Sequence, residues 1–292
     1  MDKVTHPILG EIPQDLLDLD GQQSKKKFPT IREVGKTLPI GMIDAQGNRH
    51  RDFELVRWDA ELEEHLGEIM ERESEMNLFA YTSEVIGASL SRLGSIDVRK
   101  LKRSERRLLV RRMYLADVLF IYLWIRIEGL GNQFRISEFT CSSCGKKIQN
   151  FTADLNSIEV KVLADIPKRK VILDGGVNFA NGVRKVAHVG PVFWSFLEDL
   201  SSMGNAWKVK MASINNALIS LDGVEGPAHL TPAHFRSMSP RDVNKLVAEI
   251  DECGGGPVME LSDVHGGDGG CGRRFTYAIP WTYDRFFAPS SH

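Results

Sequence analysis

The chain has 292 residues, enough for two or three sub-domains rather than one core. Hydrophobic residues make up 42% and charged residues 26%, a globular mixture that excludes a disordered chain. Lys and Arg number 37 against 39 Asp and Glu, a net charge of −2, which excludes a protein that coats nucleic acid by charge alone.

Residues 1–35 read as an extended arm. They hold scattered prolines (Pro7, Pro13, Pro29), a lysine run at Lys25–Lys27 and no sustained period. Such a segment is either a solvated tail or an arm that orders on a neighbouring subunit. Met1 to Gln14 contain no apolar stretch behind a positive start, so no secretory signal is expected.

Residues 36–131 read as a β-hairpin plus a helical domain. Leu38 to Asp44 lead into a turn at Ala45-Gln46-Gly47-Asn48, and Phe53 to Arg57 return. Asp59 can cap a helix whose Leu62, Leu66, Ile69 and Met70 form one apolar stripe. The spacing of Val85, Ile86, Leu90 and Leu93 predicts a second helix over 78–93, ended by Gly94. A long central helix is predicted over 104–128. Its seam is Leu109, Met113, Ala116, Phe120, Leu123 and Ile127, and beyond Leu115 its opposite face is apolar as well. Leu115 to Ile127 contain Asp117 and Arg126 and are too short to span a bilayer, so a soluble, cytosolic chain is expected.

Residues 132–163 and 253–292 read as a zinc-ribbon-like β module. Between them, 164–252 form an inserted segment: a hairpin from Val171–Leu173 to Arg184–Val189, then helices at about 191–202, 205–221 and 240–252. Ser239 before Pro240 is a strong helix start. The fold class expected is α+β.

The four cysteines carry the sharpest chemical signal. Cys141-x-x-Cys144-Gly145 lies between two strands, a turn that supplies half of a tetrahedral zinc site. Cys271-Gly272 before another strand repeats the pattern. Cys253 is the preferred fourth ligand, and His265 is the alternative to it. Filled by protein ligands, the site is structural, a Zn²⁺ brace between residues 141 and 271 rather than a catalytic centre. The competing readings are four buried thiols without metal and a redox pair, the latter disfavoured by strands on both sides of Cys141-x-x-Cys144.

A basic cluster is the second feature: Arg99, Lys100, Lys102, Arg103, Arg106, Arg107, Arg111 and Arg112, opposed there only by Glu105. It reads as a solvated helix start or as a surface for an acidic partner, protein before nucleic acid. No nucleophile elbow, zincin or Walker pattern is present, and no catalytic residue is assigned.

The order of these pieces resembles a known family. Leu38-Pro39-x-Gly41-x-x-Asp44-x-x-Gly47 precedes a glutamate-rich helix. Next come an apolar helix containing Ala116-Asp117, the stretch Arg126-Ile127-x-Gly129-x-Gly131, a Cys-x-x-Cys-Gly turn and the terminal Phe286-Phe287. This resembles the baseplate and tail-assembly proteins of contractile-tailed phages (the T-even-type baseplate hub group) and related injection machines, best over residues 37–155 and at the extreme C-terminus. The resemblance implies a non-enzymatic structural or assembly subunit that binds other tail and baseplate proteins. It would reside in the virion tail, and in the host cytoplasm during assembly, with no small-molecule substrate and no membrane partner. The alternative is a zinc-ribbon regulator that binds nucleic acid through residues 99–112.

Overall fold

The structure, a computed structural model, describes residues 3–6, 10–13, 28–72, 77–200, 206–222, 229–266 and 270–279. Of the expected arm, Lys25–Lys27 lie outside the described residues, as do the terminal Phe286-Phe287. The fold is α+β, and its named strands pair antiparallel throughout.

Within the arm, β1 (Lys3–His6) pairs with β2 (Gly10–Pro13). The short helix α1 (Ile31–Val34) follows. The expected hairpin forms from β3 (Thr37–Ile43) and β4 (Arg49–Leu55). Asp44 shapes its turn by accepting from the amides of Gln46 and Asn48. Helix α2 (Ala60–Arg72) buries Leu66 and Ile69.

The helix expected over 78–93 is shorter. Helix α3 (Leu78–Ser89) stops where Leu90–Leu93 become β5, which pairs with β4 and then with β6 (Ile96–Asp97). Leu90 and Leu93 are buried as expected, but in a four-stranded sheet ordered β3-β4-β5-β6. Tertiary pairing overrides the helical spacing here.

The long central helix is also divided, into α4 (Arg103–Arg111) and α5 (Leu115–Leu130). The break is held from the inserted segment. Trp194 donates its amide to the Met113 carbonyl, Leu115 donates to Val192, and the Tyr114 and Phe193 rings stack 4.7 Å apart. Helix α5 is apolar on nearly all sides because it is packed on nearly all sides. Val118, Phe120, Ile121, Tyr122, Leu123 and Ile125 are buried, and no helix among the described residues is long and apolar enough to cross a membrane.

Strands β7 (Gln133–Thr140) and β8 (Lys147–Asp154) form the first ribbon hairpin. A neck follows in which β9 (Val160–Lys161) pairs with β13 (Gly256–Pro257). Between them lies the insertion: β10 (Arg169–Phe179), β11 (Gly182–Val189), α6 (Ser195–Leu200), α7 (Ala206–Ala217), β12 (Leu218–Leu221), α8 (Pro232–Ser237) and α9 (Pro240–Glu252). The helix expected to reach 221 ends at Ala217, and its last turn becomes an edge strand beside β11. Ser239 caps α9 as expected, accepting from the Asp242 amide. Strands β14 (Glu260–Val264) and β15 (Arg274–Ala278) form the second ribbon hairpin.

Two principal cores result. The first runs from Ile31 to Ile279 and takes in ribbon residues Phe134, Ile136 and Leu261 as well as Trp194 from the insertion. The second belongs to the insertion, where the β10–β11–β12 sheet meets α7, α8 and α9.

Candidate metal centre

Two knuckles face each other at the tips of the ribbon hairpins. In the first, β7 ends at Thr140 and the chain turns through Cys141 to Lys146. The Cys141 amide donates to the Lys146 carbonyl (2.8 Å) and the Gly145 amide to the Cys141 carbonyl (2.9 Å). Gly145 takes φ +72°, a left-handed position that closes the turn without Cβ strain. In the second knuckle, β14 ends at Val264. His265 donates its amide to Arg273 (2.9 Å) and receives that of Gly272 (3.0 Å), so the loop between them carries Cys271 back to the same tip. The Ser143 hydroxyl bridges the knuckles by donating to the Arg274 carbonyl.

Cys141, Cys144, His265 and Cys271 thereby converge. Their ligand atoms all lie within 4.8 Å of one another, and the His265 Nδ1 sits 3.3 Å from the Cys144 sulfur and 3.7 Å from the Cys271 sulfur. A tetrahedral zinc with sulfur at about 2.3 Å and nitrogen at about 2.0 Å requires ligand separations of roughly 3.5–3.8 Å. The donor set therefore fits such an ion, and three sulfurs with one imidazole nitrogen suit a borderline-soft metal. Phe139 and Phe151 of the first ribbon hairpin pack on Phe275 and Tyr277 of the second, with ring centroids of Phe139 and Phe275 at 5.1 Å, of Phe139 and Tyr277 at 4.9 Å and of Phe151 and Phe275 at 5.4 Å.

The electrostatics favour a thiolate at Cys141. Burial pushes its thiol up. The backbone amides of Ser143 and Cys144, together with the Cys144 and His265 side chains, outweigh burial and bring it down to about 7. Cys144 is raised. The Lys146 amide draws it down, but burial and the Cys271 and Cys141 sulfurs beside it prevail.

The expected ligand set needs one correction. Cys141, Cys144 and Cys271 are brought together, but Cys253 is not with them. It follows α9 and is fully buried in the insertion's core, its sulfur 3.8 Å from the Val189 carbonyl, and burial pushes its thiol up. Val243, Leu246, Ile250 and Cys253 fall on one helical stripe, the signal that assigns this cysteine to packing. His265, the alternative, takes the fourth place.

The basic cluster is largely consumed within the chain. Arg99 and Lys100 pair with Asp97, Arg103 with Glu84 (2.9 Å), Arg107 with Glu198 (3.2 Å), and Arg111 with Glu198 (2.5 Å) and Asp199 (3.1 Å). Arg106 donates to the Leu101 carbonyl. Lys102 and Arg112 are the exposed members without an ion pair among the described residues. Glu198, missed in the sequence, is the centre of this arrangement. It is buried and also accepts from the Ser83 hydroxyl, which in turn receives the Trp194 indole N–H (2.7 Å).

One trio has the composition of a hydrolase relay without its geometry. Ser220 Oγ (3.2 Å) and Asp222 Oδ1 (3.9 Å) both approach the same nitrogen of His188, Nδ1. A relay requires the acid and the nucleophile on opposite ring nitrogens.

Fold and site together define an α+β protein with a three-cysteine, one-histidine cluster able to bind a metal ion. No protein-family model, no curated protein and no solved structure matches the chain.

Proposed function

We propose that the chain is a non-enzymatic structural or assembly subunit of a phage-type contractile tail baseplate, braced by a structural zinc on Cys141, Cys144, His265 and Cys271. It works by binding neighbouring tail proteins, in the virion tail and in the host cytoplasm during assembly. The observation that carries this reading is what the residues behind the family resemblance do. Asp117 accepts from the amides of Ile40 (2.7 Å) and Gly41 (2.8 Å), and Arg126 donates to the carbonyls of Gly131 (2.6 Å) and Gln133 (3.2 Å). Asp117 thus fastens α5 to the distant strand β3, Arg126 closes the C-terminal end of α5 locally, and both are buried rather than presented to a substrate.

Four protein donors around one point leave no coordination position open, which favours a structural ion over one that activates water. Such an ion would hold β7–β8 to β14–β15. The nucleic-acid alternative loses support from the ion pairs that occupy most of residues 99–112. Mass spectrometry of purified tailed particles and of tail-assembly intermediates tests the reading. Recovery of the chain at a fixed ratio to tail subunits in either fraction supports it, and absence from both removes it.

A further inference from the structure

The insertion repeats the fold of the segment that precedes it. Residues 37–155 run β3-β4-α2-α3-β5-β6-α4-α5-β7-β8, and residues 169–279 run β10-β11-α6-α7-β12-α8-α9-β13-β14-β15. Apart from the short strands β6 and β13, the two orders of helix and strand coincide. The match extends to register. Thr37 faces Asp52 and Met42 faces His50, with a bulge between them; Ile172 faces Val186 and Val177 faces Arg184, with the same bulge. Each bulge ends in a left-handed glycine, Gly41 at φ +94° and Gly176 at φ +80°. Each glycine is clasped by the third residue of a later helix. Asp117 of α5 accepts from the Gly41 amide, and Asp242 of α9 from that of Gly176 (3.3 Å). Helices α3 and α7, of 12 residues each, both run directly into a strand of 4. Leu55 then faces Leu90 and Glu54 faces Arg92; Val189 faces Leu218 and His188 faces Ser220, with matching irregularities.

The knuckles correspond in the same way. The Cys141 amide bonds to the Lys146 carbonyl, and the His265 amide to that of Arg273. Gly145 donates to Cys141 and Gly272 to His265, at φ +72° and +67°. Behind each hairpin, Leu155 donates to Asn132 (2.8 Å) and Ile279 to Met259 (3.0 Å). His265 therefore occupies the place of Cys141, and Cys271 that of Cys144. Few side chains are shared beyond the two glycine–aspartate clasps, the Cys-Gly of each knuckle and the strand leucines Leu90/Leu218 and Leu93/Leu221, so the sequence conceals the correspondence. Bulges and left-handed glycines are placed features rather than defaults, and their joint recurrence marks one unit used twice.

We propose that the metal centre is the joint between two copies of this unit, and that its two knuckles are interchangeable. Each copy supplies two donors. The imidazole at 265 and the thiolate at 141 fill equivalent positions, so either donor type serves there. Neither knuckle completes a tetrahedral shell alone, so the ion ties one copy to the other. The inference rests on the reading of the four donors as a zinc site and is independent of the tail role.

The test exchanges knuckles within the full chain. One variant carries Cys-Ser-Ser-Cys-Gly-Lys in place of residues 265–273. The reverse variant carries His-Gly-Gly-Asp-Gly-Gly-Cys-Gly-Arg in place of residues 141–146. Both, and the milder His265→Cys, should keep about one zinc per chain. With cobalt in place of zinc, the near-ultraviolet sulfur-to-metal absorption should be strongest for the first exchange and for His265→Cys. It should be intermediate for wild type and weakest for the reverse exchange, following four, three and two thiolates. Loss of zinc or unfolding in either exchange, or loss of zinc in His265→Cys, with zinc kept by wild type, would overturn the interchange alone. A wild-type chain without zinc would overturn the zinc site and the interchange with it.

Discussion

The Asp117 carboxylate lies 2.8 Å from the amide of Gly41, 76 residues earlier in the chain. Its other oxygen takes the amide of Ile40, so one buried side chain satisfies two consecutive donors on the edge of β3. Gly41 adopts φ +94°, and a Cβ there would stand 2.7 Å from the Arg51 side chain and 3.0 Å from the His50 carbonyl. The aspartate and the glycine are two halves of one joint between sheet and central helix.

Replacing Asp117 with Ala should cost about 3 kcal/mol, because two buried amides lose their acceptor. Gly41→Ala should cost about 2 kcal/mol through backbone strain and contact with Arg51. Urea denaturation of both single variants and the double should show losses that are less than additive. Additive losses would mean that the two residues act separately.

The same joint sets a pH dependence. Burial pushes Asp117 up from 3.8 to about 7, against the two amides and the nearby Arg51 and Arg49. The native state then holds the proton more tightly than the unfolded chain. Its contribution is complete below about 4 and is lost as pH rises to about 7. Asp242 behaves oppositely. Burial raises it, but the amides of Asp174, Gly175 and Gly176 and the Ser239 hydroxyl prevail and hold it below the usual range, so its contribution is lost on acidification. Denaturation midpoints across pH 4 to 7 should slope downward for the parent and less so for Asp117→Asn; parallel curves would refute the assignment.

Glu198 fastens the insertion to α4. Glu198→Ala should destabilise by about 3 kcal/mol, since its buried carboxylate is the shared acceptor of Ser83, Arg107 and Arg111. Lys102→Ala and Arg112→Ala should stay within about 0.5 kcal/mol. Thermal melts distinguish this from a solvated basic patch, in which all three would be equally mild.

Elements whose periodicity agrees with their final packing are readable in the sequence: the β3–β4 hairpin, the buried α5, the capped α9 and the first knuckle. What the sequence hides is settled by distant partners. Leu90–Leu93 carry helical spacing but complete a sheet with β4, and the helix break at Tyr114 is imposed by Phe193 and Trp194. Three of the four converging ligands stand out as cysteines. His265 does not, because its place depends on the β14–β15 register that returns Cys271 beside it. Cys253 misled by residue type, although its helical stripe marks it as core.

Removal of the metal should loosen the ribbon before the rest. Hydrogen exchange with a chelator present should show β14, β15 and the 141–146 turn losing protection while β3–β6 and α5 keep theirs. Uniform loss would mean that the ion supports the whole fold, and no change would mean that it supports none of it.

The most direct test is the metal content of purified wild-type, Cys253→Ala, His265→Ala and Cys271→Ala chains by mass spectrometry. About one zinc per chain in wild type and Cys253→Ala, with loss in the other two, is the predicted result. Zinc kept by His265→Ala but lost by Cys253→Ala, or a wild-type chain that binds none, would contradict the account.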